Sequence, residues 1–203
     1  MPDPINTTPK QPRRFAPDER RRMLLDVGLR MFGTGAYDDV SVEAICAEAG
    51  VGRPLLQHYF GSKRRFFVAV VQYGIDAIEE ATDRQAPGRT VADLGRSMAV
   101  FFAFMRTHPF GGLLNHSGTA IPEVLTLVDD FRNRTVDLVL EVLPAEQQTP
   151  QMAAAVHCWN GINEQLIVRL IADARLSTDW AAELSKRALF SLIGHASDLQ
   201  ETR

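Results

Sequence analysis

The sequence predicts an all-α protein, and three observations carry that expectation. Apolar residues recur at three- and four-residue spacing along most of the chain. No run alternates apolar with polar residues, and β-branched residues do not cluster as strands require. Ser, Thr, Pro and Gly stand at the edges of the apolar stripes, where helix starts and stops need them. About nine helices are expected, three of them in an N-terminal helix-turn-helix unit and the rest in a C-terminal helical body.

Residues 1–15 carry prolines at 2, 4, 9 and 12 and read as a disordered arm ending in Lys10, Arg13 and Arg14. The first helix begins at Pro17, with Asp18 and Glu19 near the positive end of its dipole. Leu24, Val27 (or Gly28), Met31 and Phe32 form its inner stripe, and Gly33, Gly35 and Ala36 end it. Ser41 is a good N-cap for a second helix whose inner face is Val42, Ile45, Cys46 and Ala49. Gly50 sits where a left-handed residue closes a helix. Arg53 to Phe60 is a third helix of barely two turns, with Pro54 tolerated in its first turn. Gly61-Ser62 breaks and recaps the chain before a long helix from Lys63 to about Arg84, striped by Phe67, Val71, Gly74 and Ile78.

Beyond the loop 85–89, Thr90 caps a helix carrying Val91, Leu94, Met98, Phe101 and Met105. A short helix over Pro109–His116 and a long one over Pro122–Val142 follow. Pro144–Pro150 reads as a loop, and Gln151–Ala174 and Asp179–Gln200 as the last two helices.

The totals exclude several classes. A chain of 203 residues with 45% hydrophobic and 23% charged residues is ordinary for a globular protein in one or two units. No apolar run approaches the roughly 20 residues that span a bilayer, and the polar, proline-bearing Met1–Pro12 lacks the apolar core of a secretory signal. Cys46 and Cys158 lie far apart and suggest no disulfide framework, which fits a reducing, cytoplasmic setting. The five histidines show no zinc-type spacing, and neither a phosphate loop nor a nucleophile elbow appears. No catalytic residue, metal or cofactor is therefore expected; Cys158 reads as a small hydrophobe before a redox sensor. Charge is uneven: residues 1–65 carry 11 Lys/Arg against 8 Asp/Glu, and residues 66–203 carry 11 against 17. A basic front suits a phosphate-bearing partner.

The sharpest signal lies between Val40 and Lys63. A helix, the turn Gly50-Val51-Gly52 and a short second helix make the layout that holds a recognition helix in a DNA major groove. Arg53 can pair with guanine or clamp a phosphate, and Gln57 can read adenine. His58 and Tyr59 offer donors toward phosphate, and Ser62-Lys63 opens a helix where an anion could dock. The same spacing also occurs in plain helical bundles, where Gly50 is only a C-cap.

Residues 21–71 resemble the N-terminal domain of the tetracycline-repressor (TetR) family of transcriptional regulators. The matching segments are Leu24-Leu25-Asp26, Leu29-Arg30-Met31-Phe32, Tyr37-Asp38, Ser41-Val42, Ile45, Ala49-Gly50-Val51, Leu55-Leu56 and, most specific, His58-Tyr59-Phe60-Gly61-Ser62-Lys63. The resemblance implies an arm over 1–15, a helix-turn-helix domain over 16–62 and a helical effector-binding and dimerisation domain over 63–203. It places Arg53, Pro54, Leu55, Gln57 and His58 toward the groove, and Ser41, Tyr59 and Lys63 on the phosphate backbone. Three positions depart from the family pattern: Gly52 replaces a hydroxyl that caps the recognition helix, Gln57 replaces a common tyrosine, and Ala36 stands where a glycine usually precedes the aromatic at Tyr37.

The resemblance further implies a double-stranded operator, a homodimer through the last two helices and a small-molecule effector whose identity the residues do not give. Repression released by that effector is the family's usual behaviour; activation, effector-independent control and a helical dimer acting on proteins are the alternatives. Candidate pocket residues are Phe101, Phe102, Met105, His108, Phe110, Asn115 and His116, with Trp159, Asn160 and Asn163 from a later helix. Phenylalanines at helical spacing are as readily plain core. Leu166, Leu170, Ala181, Leu184, Ala188 and Leu192 are the expected dimer seam.

Overall fold

The computed structural model describes residues 17–84, 90–116 and 121–201; the arm and the side chains of Asn115 and His116 lie outside what is described. Among the described residues there are nine α-helices and no strand. They are α1 (Pro17–Thr34), α2 (Val42–Glu48), α3 (Arg53–Phe60), α4 (Lys63–Asp83), α5 (Val91–Thr107), α6 (Pro109–His116), α7 (Pro122–Glu141), α8 (Pro150–Ala172) and α9 (Thr178–Glu201). The chain is thus all-α, with a helix-turn-helix unit at the front and a helical body behind it. No described helix is long and apolar enough to cross a membrane.

Local chemistry sets the boundaries. Ser41 Oγ accepts the Ala44 N–H at 3.0 Å, and Ser62 Oγ accepts that of Arg65 at 3.2 Å. Thr90 and Asp93 form a reciprocal capping box at the start of α5. Several later boundaries differ from the sequence expectation by one or two residues: α7 ends at Glu141, α8 at Ala172, and α9 runs from Thr178 to Glu201. The segment after α7 holds a 3-10 turn over Ala145–Gln147, and α8 starts at Pro150 rather than after it, because Thr149 caps it and proline suits a first turn.

The front of the molecule is packed with aromatic rings. Phe32 meets Phe67 edge-on at 4.7 Å between centroids, and Phe60 meets Phe66 at 4.8 Å. Full burial of each such ring contributes about 1.5–3 kcal/mol. Leu24, Ile45 and Leu56 complete this core, which continues without a break into the body.

Helix α6 is where front and body interlock. A Cβ added at Gly112 would lie 2.1 Å from the carbonyl oxygen of Gly33 on α1. One added at Gly74 on α4 would lie 2.1 Å from the Phe110 ring. Both approaches therefore require glycine. Helices α4 and α7 are also tied at two levels, by Arg64–Glu123 and by Arg134–Glu79 at 2.7 Å. Arg106 pins the α8–α9 turn to the end of α5 by donating to the carbonyls of Leu176 and Ala174.

The last two helices present their apolar residues on two sides. Leu170 and Ala181, expected at a dimer seam, are buried inside the chain. Outward faces carry Ile162 on α8 and Trp180, Leu184 and Phe190 on α9.

Candidate nucleic-acid interface and ligand cavity

Helix α3 is held by its inner side and leaves its outer side to solvent. Leu56 and Phe60, four residues apart, are buried, while Arg53, Pro54, Gln57 and His58 are exposed and Leu55 and Tyr59 half-buried. The turn before it depends on Gly50, whose φ of 63° is left-handed and free of side-chain cost only for glycine. Val51 then packs against the core, and its N–H reaches the Cys46 carbonyl at 2.9 Å. Gly52 occupies the N-cap of α3 with no side-chain hydrogen bond, so the first turn of α3 is uncapped by a side chain. Burial pushes the Cys46 thiol up and keeps it protonated.

The cations around this face are not equally free. Arg53 Nη1 lies 2.9 Å from Glu43 Oε1, both side chains about two-thirds exposed. Glu43 stands in the first turn of α2 and so steers the first side chain of α3. Lys63 Nζ stands 4.3 Å over the Tyr37 ring, which itself lies against Phe32 and Phe67. Arg64 is paired with Glu123, and Arg65 is exposed beside it. The opening turn of α4 thus carries three consecutive cations, of which sequence reasoning had singled out only Lys63. Ser41 is exposed at the start of α2. No local spacing announced Glu43, Tyr37 or Glu123 as partners, because each comes from a different helix or turn.

The second feature is a cavity of about 200 Å³ in the body, walled by α4, α5, α7 and α8 with Phe110 entering from α6. Of the residues singled out in the sequence, Phe101, Met105, Phe110, Trp159, Asn160 and Asn163 line it. Phe102 does not; it is fully buried on another side of α5. His108 does not line it either: its ring stacks on Phe104 at 4.2 Å, and its Nδ1 lies 3.3 Å from the Phe110 N–H. Burial lowers the His108 pKa, partly offset by the Asp26 carboxylate. The wall also includes Ile78, Glu79, Leu94, Phe131, Arg132 and Arg134, which sequence reasoning missed.

The polar groups of this cavity are largely engaged. Arg134 is bound to Glu79, and Arg132 to Glu164 and Asp129, each pair at 2.6–2.7 Å. Trp159 Nε1 donates to the Ser185 carbonyl and hydroxyl, both at 3.0 Å, and the Ser185 hydroxyl donates to Asn163 Oδ1 at 2.6 Å. Asn160 Nδ2 donates to the Arg132 carbonyl at 3.3 Å. Among the described residues no group of three His, Cys, Asp or Glu side chains is placed to hold a metal ion.

Comparison with known proteins bears on both features. Residues 24–70 match the family model described as bacterial regulatory proteins, tetR family. The chain is 35% identical over 81 residues to the HTH-type transcriptional regulator BetI of Brucella anthropi, covering 40% of this chain and 41% of that protein. It is 33% identical over 91 residues to the HTH-type transcriptional activator FasR of Mycolicibacterium smegmatis, covering 45% and 41%. These matches span about two-fifths of each relative's length. A tetR-family transcriptional regulator from Streptomyces coelicolor superimposes with a TM-score of 0.73 at 26% identity, over 93% of this chain and 86% of that one. The front of the chain thus matches the tetR-family model over residues 24–70, and nearly the whole chain is similar in structure to a tetR-family regulator.

Proposed function

We propose that this protein is a cytoplasmic, homodimeric regulator of transcription, not an enzyme, that reads a palindromic operator and is released from it by a small molecule. The observation that carries the DNA-reading half is the division of α3. Leu56 and Phe60 fix the helix, and Arg53, Pro54, Gln57 and His58 are exposed on its outer side. In this reading residues 16–62 are the reading head, residues 63–203 the effector and dimerisation body, and residues 1–15 an arm reaching flanking DNA. Arg53 and Gln57, with Pro54, Leu55 and His58 around them, face base edges. Ser41, Tyr59 and Lys63 hold phosphate, joined by Arg64 and Arg65 on the same turn.

Dimerisation through α8 and α9 is supported by their outward apolar residues Ile162, Trp180, Leu184 and Phe190. Gly161 and Gly194 stand mid-helix with nothing near them in the chain. Glycine there costs about 1 kcal/mol relative to alanine, a cost that close approach of a second chain would account for. Two-fold symmetry then sets two α3 helices at half-sites one helical turn or a multiple apart.

Release follows from α4. Its first residue stands at the DNA face, and Ile78, Glu79, Thr82 and Asp83 line the cavity at its far end, roughly 24 Å away. A ligand that prefers a shifted α4 changes the spacing of the two heads, and DNA affinity falls by that preference alone. Phe110, which lines the cavity and sits in the Gly74 notch, gives the ligand a second hold on the same helix.

Selection of duplexes from a random pool, followed by sedimentation of the complex, tests this. A two-fold symmetric consensus bound by a dimer supports it; binding without sequence preference, or by a monomer, refutes it. The relative named as an activator keeps activation as a second reading. A promoter-reporter pair separates the two: repression appears as reporter gain on deletion, activation as reporter loss.

A further inference from the structure

The chemistry of the cavity's polar groups indicates what kind of molecule it takes. Most of the wall is apolar, from residues such as Ile78, Leu94, Phe101 and Phe131. Its two guanidinium groups are committed: Arg134 to Glu79, and Arg132 to Glu164 and Asp129. An anionic ligand would have to strip one of these pairs and would then face the displaced carboxylate across a few ångströms. Carboxylates from Glu79, Asp83, Asp93 and Glu164 outnumber the two guanidiniums in the lining. A cation fares little better at the centre, because Glu79 and Glu164 are already engaged and a desolvated charge needs a full partner.

Two asparagines supply what the charged groups do not. Asn160 and Asn163 are 9% and 7% exposed, and both line the cavity. Each makes a single hydrogen bond, Asn160 through Nδ2 and Asn163 through Oδ1. Asn160 therefore has an unused acceptor, Oδ1, and Asn163 an unused donor pair on Nδ2. No fully buried side-chain polar atom lacks a partner among the described residues, so these two atoms keep accessible surface, on two residues that line the cavity. Three residues apart on α8, they lie on one face of the helix about 5–6 Å from each other. The Trp159–Ser185–Asn163 chain of hydrogen bonds fixes the orientation of the second amide.

Resting on the effector reading above, we propose that the cavity takes an uncharged apolar molecule bearing one group that both donates and accepts hydrogen bonds, a primary amide or alcohol. Its donor meets Asn160 Oδ1, its acceptor meets Asn163 Nδ2, and its hydrocarbon part fills the space between Phe101 and Phe131. The ligand class is set by unfilled amide atoms and by ion pairs that are better left intact.

The test uses the full-length dimer carrying Trp180→Phe, which leaves Trp159 in the cavity wall as the sole indole. Four eight-carbon probes are titrated by fluorescence and by calorimetry: octanamide, octan-1-ol, octanoate and octylamine. The expected result is binding of octanamide and octan-1-ol, with the two charged probes at least about tenfold weaker. Asn160→Leu, which removes only one long hydrogen bond, should weaken the uncharged probes about tenfold without shifting the melting temperature appreciably. Asn163→Leu should do the same, and its melting curve reports any damage to the Ser185 network separately. Tighter binding of octanoate or octylamine, silence from all four probes, or an unchanged preference in both variants would overturn the proposal. Adding the selected duplex to the same titration distinguishes the two ideas. A probe that binds with the expected preference yet leaves DNA affinity untouched contradicts the effector reading and leaves the ligand class standing.

Discussion

The front and the body of this molecule solve opposite packing problems. Around α1–α4 the chain is filled with rings, Phe32, Phe60, Phe66 and Phe67 touching one another, and the outer side of α3 is left bare. In the body four helices stop short of filling their interior and leave a space of about 200 Å³ walled by Phe101, Phe110 and Phe131. A filled core makes a rigid frame, which suits side chains that must keep their places on a groove. A hollow one suits a part that rearranges when something enters. The two are joined by α4, which belongs to both, and by α6, which approaches α1 at Gly112 and α4 where Phe110 sits against Gly74.

That contrast can be broken at its joint first. Gly112→Ala places a methyl against the Gly33 carbonyl and should cost about 2–3 kcal/mol of stability in chemical denaturation. A loss under about 0.5 kcal/mol would mean that α6 slides off α1 with ease and that the joint is loose.

Next in size come the effects on the bare side of α3. Arg53→Ala should lower discrimination between the selected duplex and its point variants by about 1–3 kcal/mol at one base pair. Uniform weakening on every duplex would instead make Arg53 a phosphate contact. Lys63→Ala should weaken all duplexes alike and reduce the salt slope by about one; a base-specific effect there would contradict the phosphate role proposed for Lys63.

Smaller effects sharpen the picture. Burial holds the His108 imidazole below its ordinary pKa, so the unfolded chain binds the proton more readily than the folded one. Stability should then be intact above about pH 6.5 and decline as pH falls through that value. His108→Gln should flatten that decline in melting temperature against pH; an identical acid limb would remove His108 from the account. Glu43→Gln should raise affinity for all duplexes two- to threefold while lowering discrimination, because a carboxylate that orients Arg53 also repels phosphate. Unchanged discrimination would leave the Arg53–Glu43 pair without a role in reading.

How far the sequence could carry this follows from where each site's parts come from. The reading head is written in one continuous stretch, so Ser41, Gly50, Leu56 and Phe60 announced caps, turn and core by spacing alone. The cavity is assembled from four helices that are far apart in the chain. Local periodicity could propose Phe101, Met105, Phe110, Trp159, Asn160 and Asn163, but it had no access to Phe131, Arg134 or Glu79. It also could not tell Phe102 from Phe101, since neighbours on a helix point about 100° apart and only the packing decides which side is hollow. Charge pairs were the least legible: Glu43 with Arg53 and Glu123 with Arg64 depend on tertiary placement. The seam suffered from the same ambiguity, because α8 and α9 each carry two apolar sides and Leu170 and Ala181 lie on the inner one.

The central claim is that the outer side of α3 reads DNA sequence. It is tested most directly by measuring the affinity of the full-length protein for a selected duplex and for its scrambled counterpart across a series of salt concentrations. Affinity for both should fall steeply and linearly on logarithmic axes, with the selected duplex bound at least about a thousandfold more tightly at physiological salt. Equal affinity for the two duplexes, or binding indifferent to salt, would contradict it.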